Sequence, residues 1–320
     1  MRYFIYILCS LTGLSFSVNA QLAAFSPLAQ PAPPPSFRCV AYYGTSPSYK
    51  GRQILLAGTS AALISGSLVY LNQAWYKQYS SSKFHFFNDN DEWLQMDKCG
   101  HMYTTYQTGR LMIEATAWSG ANKTNRLLLG GLSGFAYMTA IEVMDGYSSG
   151  WGFSWGDMSA NALGSGIAIG QELLWRKQRI LLKFSYRPSD YAQYRPDELG
   201  KSFSERLLKD YNGQTYWLSI NPSSFMKEDT HFPHWLNIAL GYGADGMIGA
   251  RYNNIVVMDS QGNTKSFTRY RQVYLSLDVD LTRIRTRSKF LKTVFTCLNT
   301  VKIPFPNIEL GNGKLKGNWY

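Results

Sequence analysis

Acidic charge is the first shortage in this chain. Twenty-one Asp and Glu residues face 32 Lys and Arg, a formal net charge of +11 over 320 residues. Histidine and cysteine are scarcer still, with four of each. There is no HExxH pair, no CxxC pair and no glycine-rich phosphate loop, so the familiar zinc-protease, zinc-ribbon and nucleotide-binding signatures are excluded. No repeat of fixed period is present, which excludes a solenoid. Of the cysteines, Cys9 lies in the N-terminal apolar run, which leaves Cys39, Cys99 and Cys297. An odd number cannot all pair within one chain. One disulfide (Cys39–Cys99, for instance) with a free thiol, and three unpaired cysteines, both stay open.

Residues 1–20 read as a secretory leader. Arg2 supplies the charge, Phe4 to Phe16 the apolar stretch, and Val18-Asn19-Ala20 the small-x-small cleavage site that would leave Gln21 first. Lipidation needs a Cys straight after the apolar core and a small residue, and Cys9 sits inside the core instead. Export to the periplasm or outer membrane of a Gram-negative bacterium is expected. A basic chain there meets anionic lipid head groups or acidic polymers as partners rather than nucleic acid, and an envelope protein partner is also open. Residues 21–50 form a tether, with four prolines between Pro31 and Pro35 favouring an extended segment.

Gln53 to Tyr76 holds no charged residue and is long enough to cross a bilayer, yet its Gly, Ser and Thr content also suits a buried or membrane-associated bundle helix. Further helices are expected over 93–118, 124–144 and 155–175. Short joins between four helices suggest an antiparallel bundle. After Arg179 the period changes to two, over 180–186, 215–221, 234–243 and 271–281. In the last, Val273, Leu275, Leu277, Val279 and Leu281 alternate with polar residues, which predicts a strand with its apolar face buried. Residues 282–301 carry Arg283, Arg285, Arg287, Lys289 and Lys292 and predict a basic amphipathic helix, with Phe290, Leu291, Val294, Phe295 and Leu298 inward. It either lies on anionic head groups or covers the end of the sheet. A final strand is expected in 307–320. The expected class is α+β: a four-helix bundle-like region over 51–178, then an antiparallel β-rich region over 179–320.

One polar constellation stands out from the helical part. Asp97, Lys98 and His101 fall within about one helical turn, and Asp157 and Asn161 repeat the four-residue spacing that puts side chains on one face. Glu142 and Asp145 lie between them in sequence. Asp97, Lys98, His101, Glu142, Asp157 and Asn161 are therefore candidate catalytic groups. Asp97, His101, Glu142 and Asp157 are candidate ligands of a divalent metal, and Lys98 could neutralise a phosphate. The competing reading is a buried hydrogen-bond network that sets helix register, with Asp97 or Asp157 capping a helix end. His85, His231 and His234 lie in aromatic stretches and read as half-buried or interfacial histidines.

The stretches FNDNDEWLQMDKCGHMYTTY and AIEVMDGYSSGWGFSWGDMSANALG resemble the DUF2279 group of predicted periplasmic proteins, which includes YfiM-like proteins. The skeleton of Asp97, Lys98, His101, Glu142, Asp157, Asn161 and Gly164 also looks distantly like VanZ-type membrane proteins. The resemblance spans about 85–170 and implies an envelope location and a helical core, but no reaction. Two functions therefore stand: a non-enzymatic accessory or scaffold of the outer membrane, and a metal-dependent enzyme acting on an envelope lipid or phosphate-bearing glycan. If the two spacings face one another, Asp97 and His101 should lie beside Asp157 and Glu142.

Overall fold

The computed structural model describes residues 49–226, 232–253, 256–258 and 264–319. The expected leader, most of the tether, Cys39 and His231 lie outside them.

Four long helices come first. α1 is Tyr49–Ala74, α2 Met96–Trp118, α3 Ser133–Gly146 and α4 Trp155–Trp175. A π-helical segment, Arg126–Gly131, leads into α3. α2 is the central one, lying against α4, α3 and the π segment. Glycine makes this approach possible: a Cβ at Gly164 of α4 would run into the Met102 carbonyl, and one at Gly134 of α3 into the Thr105 carbonyl.

α1 does not join this packing in the same way, and the expected four-helix bundle is not confirmed. Leu68 is its one buried residue among those described. Its ties are polar, with Tyr137 donating to Ser67 Oγ at 2.9 Å and Arg52 to the Trp118 carbonyl at 3.3 Å. The reason is visible in its glycines: Gly51, Gly58 and Gly66 have no atom within 4 Å of a would-be Cβ, so no neighbour uses them for close approach. α1 and Lys123–Gly146 are each long and apolar enough to cross a membrane, on length and composition alone.

α2 begins three residues later than the pattern predicts. Trp93, Leu94 and Gln95 take positive φ of 46°, 51° and 64°, which non-glycine residues adopt only under constraint. The sheet supplies it. Trp93 N donates to the Ala250 carbonyl at 2.7 Å, Tyr242 Oη donates to the Leu94 carbonyl, and Arg271 donates to Gln95 Oε1 at 2.7 Å.

The sheet has six antiparallel strands: β1 Ile180–Tyr186, β2 Gln214–Ile220, β3 Leu236–Asp245, β6 Tyr270–Val279, β7 Pro306–Gly311 and β8 Lys314–Trp319, neighbours in that order. A short ribbon, β4 Val257–Met258 with β5 Thr264–Lys265, lies between β3 and β6 in sequence. α5, Phe203–Lys209, precedes β2, and α6, Lys289–Leu298, precedes β7. The C-terminus forms two strands rather than the single one expected. Asn312 and Gly313 both have positive φ (48° and 69°), the geometry of a two-residue hairpin turn.

Helices and sheet share a core. Tyr106, Ile113 and Ala168 pack on Leu182 of β1, and Met96 packs on Ala244 and Met247. Gln171 of α4 accepts from the backbone N–H of Arg179 and Ile180 and donates to the Ile180 carbonyl, which pins the start of β1.

Two expectations need correction. The face of β6 is inverted: Val273, Leu275 and Leu277 are exposed, while Gln272, Tyr274, Ser276 and Asp278 are buried. The sheet curls until Ser185 and Tyr186 at the end of β1, with Arg187 just beyond it, and Trp319 of β8 border one cavity of about 320 Å³, so the polar face is the inner one. Its polar groups bond to one another there. Lys183 Nζ lies 2.8 Å from Asp278, both without solvent exposure, and Ser219 donates to Asp278 at 2.6 Å. The basic helix is also shorter than 282–301. Asp280 caps a turn at Leu281–Arg283 and pairs with Arg283 at 2.8 Å, and Ser288 caps a separate helix at Lys289. Arg283, Arg285 and Arg287 thus precede α6, and Phe290, Leu291 and Leu298 are exposed rather than inward. Cys99 and Cys297 are free thiols, and Cys39 lies outside the described residues.

Two glycines of α4 test the packing. Gly164→Ala should destabilise by about 1–3 kcal/mol through overpacking against Met102. Gly166→Ala meets nothing within 4 Å and should stabilise by up to about 1 kcal/mol. Urea unfolding of both variants measures the contrast; equal effects would contradict the packing described.

Candidate functional site

The polar site is built on the N-terminal turns of α2 and α4. Residues 81–86 run beside 148–153 through bridges at Ser81–Ser148 and Phe86–Phe153, with Phe84, Phe86, Phe153 and Trp155 stacked edge to face or in parallel. That brings Asp89 to Ser154, whose hydroxyl donates to Asp89 Oδ1 at 2.6 Å. The same hydroxyl accepts from Asp157 N–H at 3.1 Å and so caps α4. Ser154 N–H in turn donates to Glu142 Oε2 at 3.1 Å.

Lys98 sits at the centre. Its ammonium lies 2.7 Å from Asp89, 2.8 Å from Asp157 Oδ1 and 3.4 Å from Asp97. His101 stands one turn further along α2. Its Nδ1 is 3.2 Å from Asn161 Oδ1 and 3.4 Å from Glu142 Oε1, and its Nε2 is 3.8 Å from Asp97 and 4.0 Å from Asp157. The six candidate residues on α2, α3 and α4 therefore meet in one place. Asp145 lies on the same helix as Glu142 but turns to Tyr76, whose hydroxyl donates to it at 2.6 Å. Of the remaining histidines, His85 is half-buried against Ser82 and the Lys83 carbonyl, and His234 is exposed rather than half-buried.

Four participants were not singled out in the sequence. Ser154 had a local signal, the Ser-x-x-Asp spacing of a capping box. Asp89 lies in an Asn/Asp cluster that reads equally well as a turn. Thr105 donates to Asn161 Oδ1 at 3.0 Å, and Tyr211 donates to Asp97 Oδ1 at 2.7 Å. Tyr211 comes from the sheet region, 114 residues beyond Asp97, with no periodic signal to find it.

Residues 85–172 match the DUF2279 family, described as a predicted periplasmic lipoprotein. The match covers roughly a quarter of the chain. No curated protein and no solved structure matches the sequence. The description agrees with an exported protein of the periplasm or outer membrane, and the likeness to VanZ-type proteins finds no support beside it. Asp89, Asp97, Lys98, His101, Glu142, Asp157 and Asn161 all fall inside the DUF2279 segment, whereas Tyr76 and Tyr211 bind it from outside.

Charge within this site is unbalanced: Asp89, Asp97 and Asp157 bond the one lysine, and Glu142 and Asp145 add two further buried acids nearby. Burial opposes the Lys98 charge, but the neighbouring Asp97 and Asp157 outweigh it and hold its pKa above the ordinary value. Burial, followed by the Asp145 charge, pushes the Glu142 carboxyl up to about 9. Burial raises Asp145 to about 7. Asp157 is raised by burial, by Asp97 and by its hydrogen bond with Asp89, while Asp89 is held low despite burial by its bonds to Asp157, Lys98 and Ser154. The two shifts run in opposite directions, so the Asp89–Asp157 pair favours sharing one proton in spite of the lysine between them. Burial lowers the His101 pKa, so its imidazole is neutral at neutral pH.

The metal candidates divide. Ligand atoms of Asp97, His101 and Asp157 lie within 4.8 Å of one another. Glu142 reaches the other ring nitrogen of His101 and is a partner of the imidazole rather than a fourth member of that group. With Nδ1–H donated to Asn161, Nε2 faces Asp97 and Asp157 with a free lone pair, as a metal-binding histidine requires. Against this, the Lys98 ammonium already stands at Asp157 Oδ1, the oxygen a cation would use. A cavity of about 420 Å³ opens beside Ser154 and Trp155, and neither Lys98 nor His101 lines it.

The raised Glu142 pKa sets a pH dependence. Between an unfolded value near 4.5 and a folded value of about 9, the folded state holds the extra proton, so stability is full below that window and falls as pH rises through it. One proton gives a slope of up to about 1.4 kcal/mol per pH unit. Glu142→Gln should flatten the melting temperature between these limits and raise it at the alkaline end. Parallel pH–melting curves for parent and variant would show that Glu142 is ionised in the fold.

Proposed function

We propose that this chain is a non-enzymatic accessory or scaffold protein of the cell envelope, associated with the outer membrane. The observation that carries the reading is the position of Lys98. An ammonium bound to Asp89, Asp97 and Asp157 is engaged within the site, and it is not presented to a substrate phosphate. Much of the site is also enclosed, while the Asp97 side chain stays 24% exposed. Glu142, Asp157 and Asn161 are almost wholly buried, and the neighbouring cavity stops at Ser154. Such a network fixes how α2, α3, α4 and the 79–95 segment meet, a use of buried charge that favours one arrangement over others. The family description supports the envelope location. The expected partners are an anionic membrane surface or lipid and an envelope protein.

A second reading has one specific observation in its favour. Glu142 Oε1 and Asn161 Nδ2 are buried without a hydrogen-bond partner among the described residues, and Asp97, His101 and Asp157 can converge on one cation. A divalent metal there would polarise a phosphate or carbonyl oxygen of an envelope lipid or glycan. Asp97, His101 and Asp157 would hold it, Asn161 would orient the imidazole, and Lys98 would have to leave Asp157.

Elemental analysis of the purified protein, paired with melting in the presence of a chelator, separates the two. The scaffold reading expects no stoichiometric metal and an unmoved melting temperature. It also expects Lys98→Met to cost about 3–5 kcal/mol, because the carboxylates lose their counter-charge. One bound metal per chain, lost in His101→Ala together with the chelator effect, would replace the scaffold reading with the enzymatic one.

A further inference from the structure

We propose that the outer face of the sheet seats in the acyl region of one leaflet of an anionic bilayer, a proposal that rests on the membrane association above and names the surface responsible. Leu240, Leu275 and Ile308 are aligned across β3, β6 and β7, and Ile238 pairs with Leu277 in the next row toward the strand ends. Leu310 extends the patch toward Leu315 of β8. All are between about two-fifths and three-quarters exposed. At β1 and β2 this same face lies under the helices, with Leu182 and Leu218 packed against Tyr106 and Ile113. Tyr242 and Ala244, at the far end of this face of β3, lie under Trp93–Met96, whereas Ile238, Leu240 and the apolar rows of β6, β7 and β8 stay exposed.

The opposite face explains why the apolar residues point outward. Lys183, Ser219, Asn237 and Asp278 are buried there and bonded to one another. A water-facing sheet buries its apolar side and wets its polar side. This one does the reverse, which is the pattern of strands that face lipid. The apolar row of β6 runs from Val273 to Val279. At about 3.3 Å per residue it is about 20 Å long, enough for one leaflet and short of the roughly 30 Å hydrocarbon core. Seating, not spanning, is what this length allows.

Charge decides between a bilayer and a second copy of the chain. Arg271 ends the β6 row on one side. At the other, α6 is fixed to the end of β6 by Asn299, which bonds Asp280 and Leu281, and carries exposed Phe290, Leu291 and Leu298 beside Lys289 and Lys292. Exposed Trp235 and Trp319 sit at strand ends, where aromatic rings favour the head-group boundary. Two copies placed face to face would oppose these cations, whereas anionic head groups pair with them. An apolar patch of this kind flanked by cations is the surface an anionic bilayer binds.

The experiment uses vesicles of phosphatidylethanolamine and phosphatidylglycerol and the mature protein. Leu240→Glu, Leu275→Glu and Ile308→Glu together should lower vesicle affinity at least tenfold without moving the melting temperature, because these side chains leave water only on the bilayer. In a background with cysteines replaced by Ser, an environment-sensitive dye at Leu275→Cys should shift to the blue and be quenched by lipids labelled in the acyl chain, while the same dye at Lys201→Cys should not. If the parent binds and the triple variant binds equally, or the dye at 275 stays in water, the face is wrong and the membrane association stands. A parent that ignores these vesicles overturns both. A lipid-free dimer of the parent that the triple variant abolishes would assign the face to a second copy and overturn the proposal.

Discussion

The arrangement of the helical half depends on one lysine. Among the described residues, Lys98 is the only lysine or arginine within bonding distance of Asp89, Asp97 and Asp157, which come from the 79–95 segment, α2 and α4. Buried charge of this kind adds little net stability, since desolvation offsets most of the attraction. What it does is penalise every alternative packing in which a carboxylate is buried without its partner. The glycines act in the same direction: Gly134 and Gly164 allow α3 and α4 close enough to α2 for Glu142 and Asn161 to reach His101. One lysine cannot balance five acids, however, so the site also holds protons. Glu142 and Asp157 are the groups burial selects to carry them.

The sheet obeys a different constraint. Its polar side chains are enclosed and its apolar ones are not, and the two halves meet where Tyr211 reaches Asp97 and where Tyr242 and Arg271 clamp the Trp93–Gln95 turn. The start of α2, and with it the placement of Asp97 and Lys98, is therefore set partly by the sheet. The DUF2279 segment ends before the first strand. Within this chain, the region beyond it supplies contacts that orient the segment's own acidic residues.

Periodicity carried much of the architecture. α4 and β1 occupy the spans that the sequence pattern predicts, and the two four-residue spacings do bring α2 and α4 face to face. The failures have identifiable causes. Alternation along β6 reports that one face is apolar but not which face is wet, and here curvature and the Lys183–Asp278 pair decide it. The run of cations at 283–292 looked continuous, but Asp280 captured Arg283 and ended the turn before α6 began. α1 has the small residues of a packed helix and almost no neighbour to pack on. Asp89 and Tyr211 enter the site through tertiary contacts that no local spacing encodes.

The central claim is that protons and Lys98, rather than a metal ion, compensate the buried carboxylates. Infrared spectroscopy in heavy water reads this directly, because a protonated carboxyl has a C=O stretch well separated from that of a carboxylate. The account predicts a protonated-carboxyl band at neutral pH that diminishes in Glu142→Gln and persists in the presence of a chelator. A spectrum with only ionised carboxylates at neutral pH would contradict it, and would leave the excess negative charge to be balanced by a bound cation.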